Sequence, residues 1–338
     1  MKSKIIITIA VMIIAILLAI SMGSVTVPIY EILRIIFNRI FGMGSISDIS
    51  STSEAIIWNL RLPRALLAFI VGAMLSVSGA IMQSVLRNPL ASSFTLGVSS
   101  GASLGAALVI FFGISFLPSL TLPAAGFVLG MGTMMLAIVF ASRIDGMLEN
   151  NTIILMGMVM SLFINAITTL LMAIQRESAQ QLIFWQMGSL SSRGWDPLAI
   201  LLPVMIIGIF IAIFHHRELD LMTFGEDTAR TIGVSIVRTK WILLIVAASM
   251  TGSAIAFVGI IGFIDLIAPH IVRRIFGPRH IILIPLSAIV GGSIMALSDL
   301  VARTITSPAE LPIGVVTALI GAPFFAYIYF AGRRRKNA

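Results

Sequence analysis

The stretch R-L-P-R-A-L-L-A-F-I-V-G-A-M-L-S-V-S-G-A-I-M-Q-S-V-L-R-N-P-L-A, residues 61 to 91, decides the fold. Its middle, 63 to 86, is a predominantly apolar segment long enough to span. Crossing a bilayer takes roughly 20 apolar residues per helix. Inside lipid the backbone must satisfy its own hydrogen bonds, which leaves a helix or a closed barrel. The absence of ten-residue alternation selects the helix. Pro63 suits a first helical turn, and Asn88-Pro89 is a strong breaker after the run.

The whole chain has this character. Of its 338 residues 58% are hydrophobic and 11% charged, and the mean hydropathy is +1.08. A soluble domain does not tolerate such a composition, so lipid is part of the solvent. With no cysteine, disulfides, thiolate metal sites and cysteine nucleophiles are excluded. The net charge of +8 reports membrane orientation rather than nucleic-acid binding. The segment 5 to 20 has a signal-peptide look with a poor cleavage site, and is read as a retained first helix.

Spanning segments are expected near 5–23, 63–86, 94–113, 118–141, 152–174, 197–214, 241–259, 281–301 and 311–331, with a short buried tenth at 260–272. Ten crossings put both termini on one side. With that side cytoplasmic, 15 of the 22 Lys and Arg residues lie inside, among them Lys2, Lys4, Arg273, Arg274 and the cluster Arg333 to Lys336. The 7 outside are Arg34, Arg39, Arg61, Arg64, Arg176, Arg193 and Arg303. This bias obeys the positive-inside rule, and dropping the tenth helix would reverse it. The reading is one transmembrane domain, 1–338, in a multi-pass protein of the cell membrane, with polar stretches at 38–61 outside and 215–240 inside.

No GxxxxGK[ST] loop occurs, so any ATP must be hydrolysed by another polypeptide. His215, His216, His270 and His280 lack metal-ligand spacing and read as snorkelling or loop residues. No cofactor or metal is expected. Arg61 and Arg64, three apart on one helix face, offer either an acidic-partner socket or headgroup anchors. Gly97, Gly101 and Gly105 recur every four residues and predict close helix contact. Within 218–240, Gly225, Ala229 and Gly233 share that spacing, predicting a short helix with a small-residue face bordered by Glu226, Asp227 and Arg230. It suits either a partner's groove or solvent. Asp299 and Arg303, one turn apart, predict an internal pair, and Asp265 has no local partner. These three also leave open an ion-coupled secondary transporter.

Eight ordered signatures then carry a resemblance over almost the whole chain: R-L-P-R, S-G-A-I-M-Q-S-V-L-R-N-P-L-A, L-G-V-S-S-G-A, F-W-Q-M-G-S-L, G-E-D-T-A-R-T-I-G-V, G-I-I-G-F-I-D-L-I-A-P-H-I-V-R, D-L-V-A-R and E-L-P-I-G-V-V-T-A-L-I-G-A-P-F-F. The chain resembles the FecCD-like permease subunits of binding-protein-dependent ABC importers for iron–siderophore complexes, haem and cobalamin. The resemblance implies an all-α type II importer fold with about ten helices and both termini cytoplasmic. It also implies a second permease copy, two cytoplasmic ATP-binding subunits, an extracytoplasmic substrate-binding protein and surrounding membrane lipid. Arg61, Arg64 and Arg303 would receive acidic residues of the binding protein. Residues 218–235, with Gly225, Glu226, Ala229, Arg230 and Gly233, would couple to the ATPase. Iron(III)–siderophore is the first expectation for cargo, with haem, cobalamin or molybdate as alternatives. Where the family commonly has a small residue, this chain has Asp265.

Overall fold

The computed structural model describes residues 2–23, 27–42, 49–117, 119–191 and 193–334, with side chains to Tyr327. The predicted basic cluster Arg333 to Lys336 lies beyond the described side chains. Each predicted segment overlaps a helix: α1 (Lys2–Ser21), α4 (Leu62–Val85), α5 (Val98–Phe112), α6 (Thr121–Ile144), α7 (Asn150–Ile174), α9 (Asp196–Phe214), α12 (Ile236–Val258), α13 (Ile264–Phe276), α14 (His280–Thr304) and α15 (Ile313–Arg334). Among the described residues 7 helices are long and apolar enough to cross a membrane, while Val98–Phe112 and Ile313–Tyr327 are shorter. No strand occurs among the described residues.

Five further helices fall in stretches expected to be polar or connecting: α2 (Ile29–Phe41), α3 (Ser51–Ala55), α8 (Arg176–Gln186), α10 (His216–Thr223) and α11 (Glu226–Thr231). Between α3 and α4 the chain makes a π-helical turn, Ile56–Arg61, so that one continuous helix runs from Ser51 to Val85. Pro63 lacks the N–H that an α-helix needs there, and the wider turn absorbs the gap.

Burial separates the helices by role. The apolar window of α4 is 89% buried and that of α12 78%, against 17% for α1 and 22% for α7. α4 and α12 are therefore the centre, and α1 and α7 turn most of their side chains toward lipid or a neighbouring chain. Small residues let the central helices touch. A Cβ on Gly72 of α4 would stand 2.4 Å from the Gly291 carbonyl oxygen of α14, and one on Gly291 2.4 Å from Ser76 Cβ. The predicted close face of α5 is present: Cβ atoms on Gly101 and Gly105 would stand 2.3 and 2.4 Å from the Leu129 and Ala125 carbonyls of α6. Gly97 instead caps α5 in the left-handed region (φ 96°).

Between α12 and α13 the chain is non-helical, with positive φ at Gly259 (80°) and Phe263 (72°). Irregular backbone at membrane depth must be satisfied by protein. Here the Ser189 amide donates to the Val258 carbonyl at 2.8 Å and the Gly259 amide to the Ile255 carbonyl at 2.8 Å.

Candidate functional site

The close α4–α14 crossing fixes one polar cluster at the end of the bundle where α1 finishes, the end assigned to the outside by charge. A cavity of about 510 Å³ opens there, lined by Arg61, Arg64, Arg193, Arg303, Ser191 and Glu310 among others. The structure thus brings Arg61, Arg64 and Arg303, which the sequence places on one side of the membrane, to one cavity, and adds Arg193.

The three predicted arginines are engaged within the chain. Arg61 Nη1 donates to the carbonyls of Ile20 (3.2 Å) and Ser21 (3.0 Å), and Arg303 Nη2 donates to that of Ala19. These are the orphan acceptors of the last turn of α1, where cations also meet the negative end of the helix dipole. Arg64 is forked between two carboxylates. Its Nε and Nη2 donate to Asp299 Oδ1 at 3.0 and 2.8 Å, and its Nη1 donates to Glu310 Oε1 at 2.8 Å. The predicted Asp299–Arg303 pair exists at 3.5 Å, yet the closer partner of Asp299 is Arg64. Spacing along one helix could show only the first pair.

Glu310, in the loop between α14 and α15, also accepts from Ser191 Oγ. The Arg64 hydrogen bond, with help from Ser191, holds its carboxyl below the ordinary glutamate value against the opposing effect of partial burial. Arg193 is exposed, and no hydrogen bond or ion pair reaches it from the described residues. At the rim, Trp195 Nε1 donates to the Trp58 carbonyl at 3.0 Å and the two rings lie 5.2 Å apart, tying the π turn to the start of α9.

The opposite end of the bundle holds the second candidate surface. The predicted single small-residue helix is corrected to two helices, α10 and α11. Gly225 precedes α11 with φ 128° and Gly233 follows it with φ 97°, so both glycines serve turns rather than a helix face. The Val234 and Gly233 amides close the end onto Ala229 and Arg230, the hydrogen-bond pattern of a glycine C-cap. Ala229 is buried. Glu226 turns inward to Lys240 at 2.8 Å, and fully buried Lys240 also donates to the Leu148 carbonyl at 2.6 Å. What α10 and α11 present outward is Phe224 and Ile232, 77% and 61% exposed, with Asp227, Arg230 and Gly233 beside them.

Two other expectations change. His280 is 1% exposed, so it is a bonded core residue and not a snorkelling one. Asp265, without a partner along the sequence, accepts from Ser92 Oγ in the loop after α4.

A membrane-embedded helical bundle with a cationic mouth at one end, short surface helices at the other and no phosphate-binding loop is the class of a multi-pass permease subunit. The chain belongs to the FecCD transport family, whose profile matches residues 11–331. It is 41% identical over 323 residues to the uncharacterized ABC transporter permease protein YvrB of Bacillus subtilis, covering 95% of this chain and 91% of that protein. To the Fe(3+) dicitrate transport system permease protein FecD of Escherichia coli it is 38% identical, covering 81% and 84%. Relatives named for cobalamin and hemin transport are 38% and 36% identical, so names alone do not choose a cargo. Among solved structures, one described in terms of a metal-chelate type ABC transporter, inward-facing, matches with TM-score 0.85 at 29% identity, covering 98% of this chain and all of that one.

Proposed function

We propose that this chain is the membrane-spanning subunit of a binding-protein-dependent importer that passes an anionic metal chelate, iron(III)–siderophore foremost, using ATP hydrolysed by partner subunits. The outer mouth carries the reading: four guanidiniums, Arg61, Arg64, Arg193 and Arg303, line the cavity with one carboxylate, Glu310, and Asp299 stands behind Arg64. Such a mouth attracts anions and acidic protein surfaces at long range. Arg61, Arg64 and Arg303 form the surface that receives acidic residues of the binding protein, and exposed Arg193 extends it. At the other end, Gly225, Glu226, Ala229, Arg230 and Gly233 hold α11 so that Phe224 and Ile232 meet an ATPase groove.

The test is reconstitution of this chain with its ATP-binding subunit and binding protein, measuring ATP hydrolysis and uptake with ferric siderophore, ferric citrate, haem, cobalamin and molybdate. ATP-dependent uptake of an iron(III) chelate that survives collapse of the proton gradient is expected. Uptake by the chain alone, driven by an ion gradient, would overturn the proposal in favour of a secondary transporter. For docking, Arg193→Glu should weaken binding-protein association in a salt-sensitive manner. Wild-type affinity at low salt would remove Arg193 from the surface.

A further inference from the structure

A continuous polar chain runs from α10 into the middle of the bundle. It begins at Asp220 of α10, whose Oδ1 accepts from both the backbone amide (2.9 Å) and Nδ1 (2.6 Å) of His280, the first residue of α14. Two bonds to one oxygen orient the imidazole and assign Nδ1 as the donor. The other ring nitrogen lies 2.6 Å from Ser84 Oγ in the last turn of α4. Ser84 Oγ gives its single proton to that nitrogen or to the Ala80 carbonyl at 2.8 Å, and accepts from Arg273 Nη2 of α13 at 3.1 Å. Arg273 Nη1 donates to Gln83 Oε1, and Gln83 Nε2 donates at 3.0 Å to the backbone carbonyl of Asp265, in the first turn of α13. The Asp265 carboxylate ends the chain by accepting from Ser92.

Its environment is uneven. Asp220 is the wet end, with a side chain 33% exposed against 1% for His280, while Asp265 at the far end is buried. Otherwise α10 is seated by Leu219 and Met222, fully buried apolar contacts without directional preference. Hydrogen bonds are directional, so the polar chain has discrete arrangements and transmits displacement where apolar contacts slide. It ends two residues beyond Phe263, where the non-helical, positive-φ junction gives α13 a place to turn against α12.

We propose that His280 is a positioning residue for transport: it links α10 to the α4–α13 pair, so that movement imposed on α10 by the ATPase re-sets α13. This rests on the reading of residues 218–235 as the coupling segment. Asp220 is the input of the relay, Ser84 and Gln83 are its carriers on α4, and Arg273 is its receiver on α13.

The native chain contains no cysteine, so Ile260→Cys, in the α12–α13 junction, gives one thiol in each permease chain, and labelling is read on the permease band. Its maleimide-labelling rate is compared in the intact permease–ATPase complex with and without trapped nucleotide. In the otherwise native background the two rates are expected to differ at least about fivefold. With His280→Phe the ratio falls to about one while the ATPase subunit still co-purifies and hydrolyses ATP. Asp220→Asn gives the same loss, and the double variant loses no more than either single one, because the residues act as one unit. Should His280→Phe not fold, His280→Gln and Asp220→Asn carry the test. A native-like ratio in these variants overturns the relay. Equal rates in the otherwise native complex, or failure of that complex to form, overturn the coupling reading on which it stands.

Discussion

Arg64 lies against Asp299 with Nη2 2.8 Å and Nε 3.0 Å from the same carboxylate oxygen, although 235 residues separate them along the chain. The pair exists because Gly72 and Gly291 let α4 and α14 approach at backbone distance, which sets Arg64 opposite the last turns of α14. It has few routes to water: the side chains are 16% and 1% exposed. Removing one partner leaves the other with a single ionic contact, Glu310 for Arg64 and Arg303 for Asp299. Asp299→Ala is expected to destabilise the protein by about 2 kcal/mol, the scale of lost hydrogen bonds to a charged group. Arg64→Met combined with Asp299→Leu should recover most of the loss. Thermal unfolding in detergent reads both, and equal stability of Asp299→Ala and the native protein would contradict the assignment.

The tight crossing makes its own prediction. With the Gly291 carbonyl 2.4 Å from a Cβ on Gly72, Gly72→Val must push α4 from α14, at a cost of about 1–3 kcal/mol for overpacking. The movement also separates Arg64 from Asp299. Gly132→Val, at a position with open space around its Cβ, is the control, expected to change stability by about 1 kcal/mol or less from helix propensity alone. Comparable losses in the two variants would mean that the crossing is looser than described.

Glu310 gives the outer mouth a pH dependence of definite sign. Its folded-state value lies below the ordinary value of 4.5, so its contribution to stability is complete above that pH and is lost as pH falls through the lower folded value. The stability difference between the native protein and Glu310→Gln should therefore be flat at neutral pH and vanish in acid. A difference that grows on acidification would reverse the assignment. The side chain is 39% exposed, so the effect is modest and salt-screened.

At the opposite end the exposed apolar pair, not the inward Glu226, is the clean probe of ATPase contact. Phe224→Asp and Ile232→Asp alter side chains without buried partners and should shift stability by only about 0.5 kcal/mol, while reducing co-purification of the ATP-binding subunit at least about tenfold. Glu226→Gln acts differently. It removes the negative charge that neutralises buried Lys240 and keeps only neutral acceptors beside it, so it should lower thermal stability as well. Full ATPase co-purification by both aspartate variants would return α10 and α11 to plain surface helices.

The sequence by itself determined the material and the scaffold. Long apolar runs without ten-residue alternation select helices in lipid, so the helical class was readable, and each predicted segment overlaps a helix. Asn88-Pro89 marked the end of α4, whereas the helix continues upstream of Pro63 to Ser51; Gly101 and Gly105 marked a close helix face, and the span count with its charge bias put Arg61, Arg64 and Arg303 at one end. Tertiary structure decided what those residues touch. Partners separated by hundreds of positions, such as Arg64 with Asp299, His280 with Ser84 or Asp265 with Ser92, leave no periodicity in a sequence, because contact between helices depends on which face each presents. Local departures from regular helix were equally hidden: the π turn at Ile56–Arg61 and the positive φ of Gly225 and Gly233 arise where packing and capping overrule four-residue spacing. Physically, desolvation favours helices one segment at a time, whereas buried polar groups must find partners anywhere in the molecule. The first is therefore written along the chain, and the second appears only when the chain is folded.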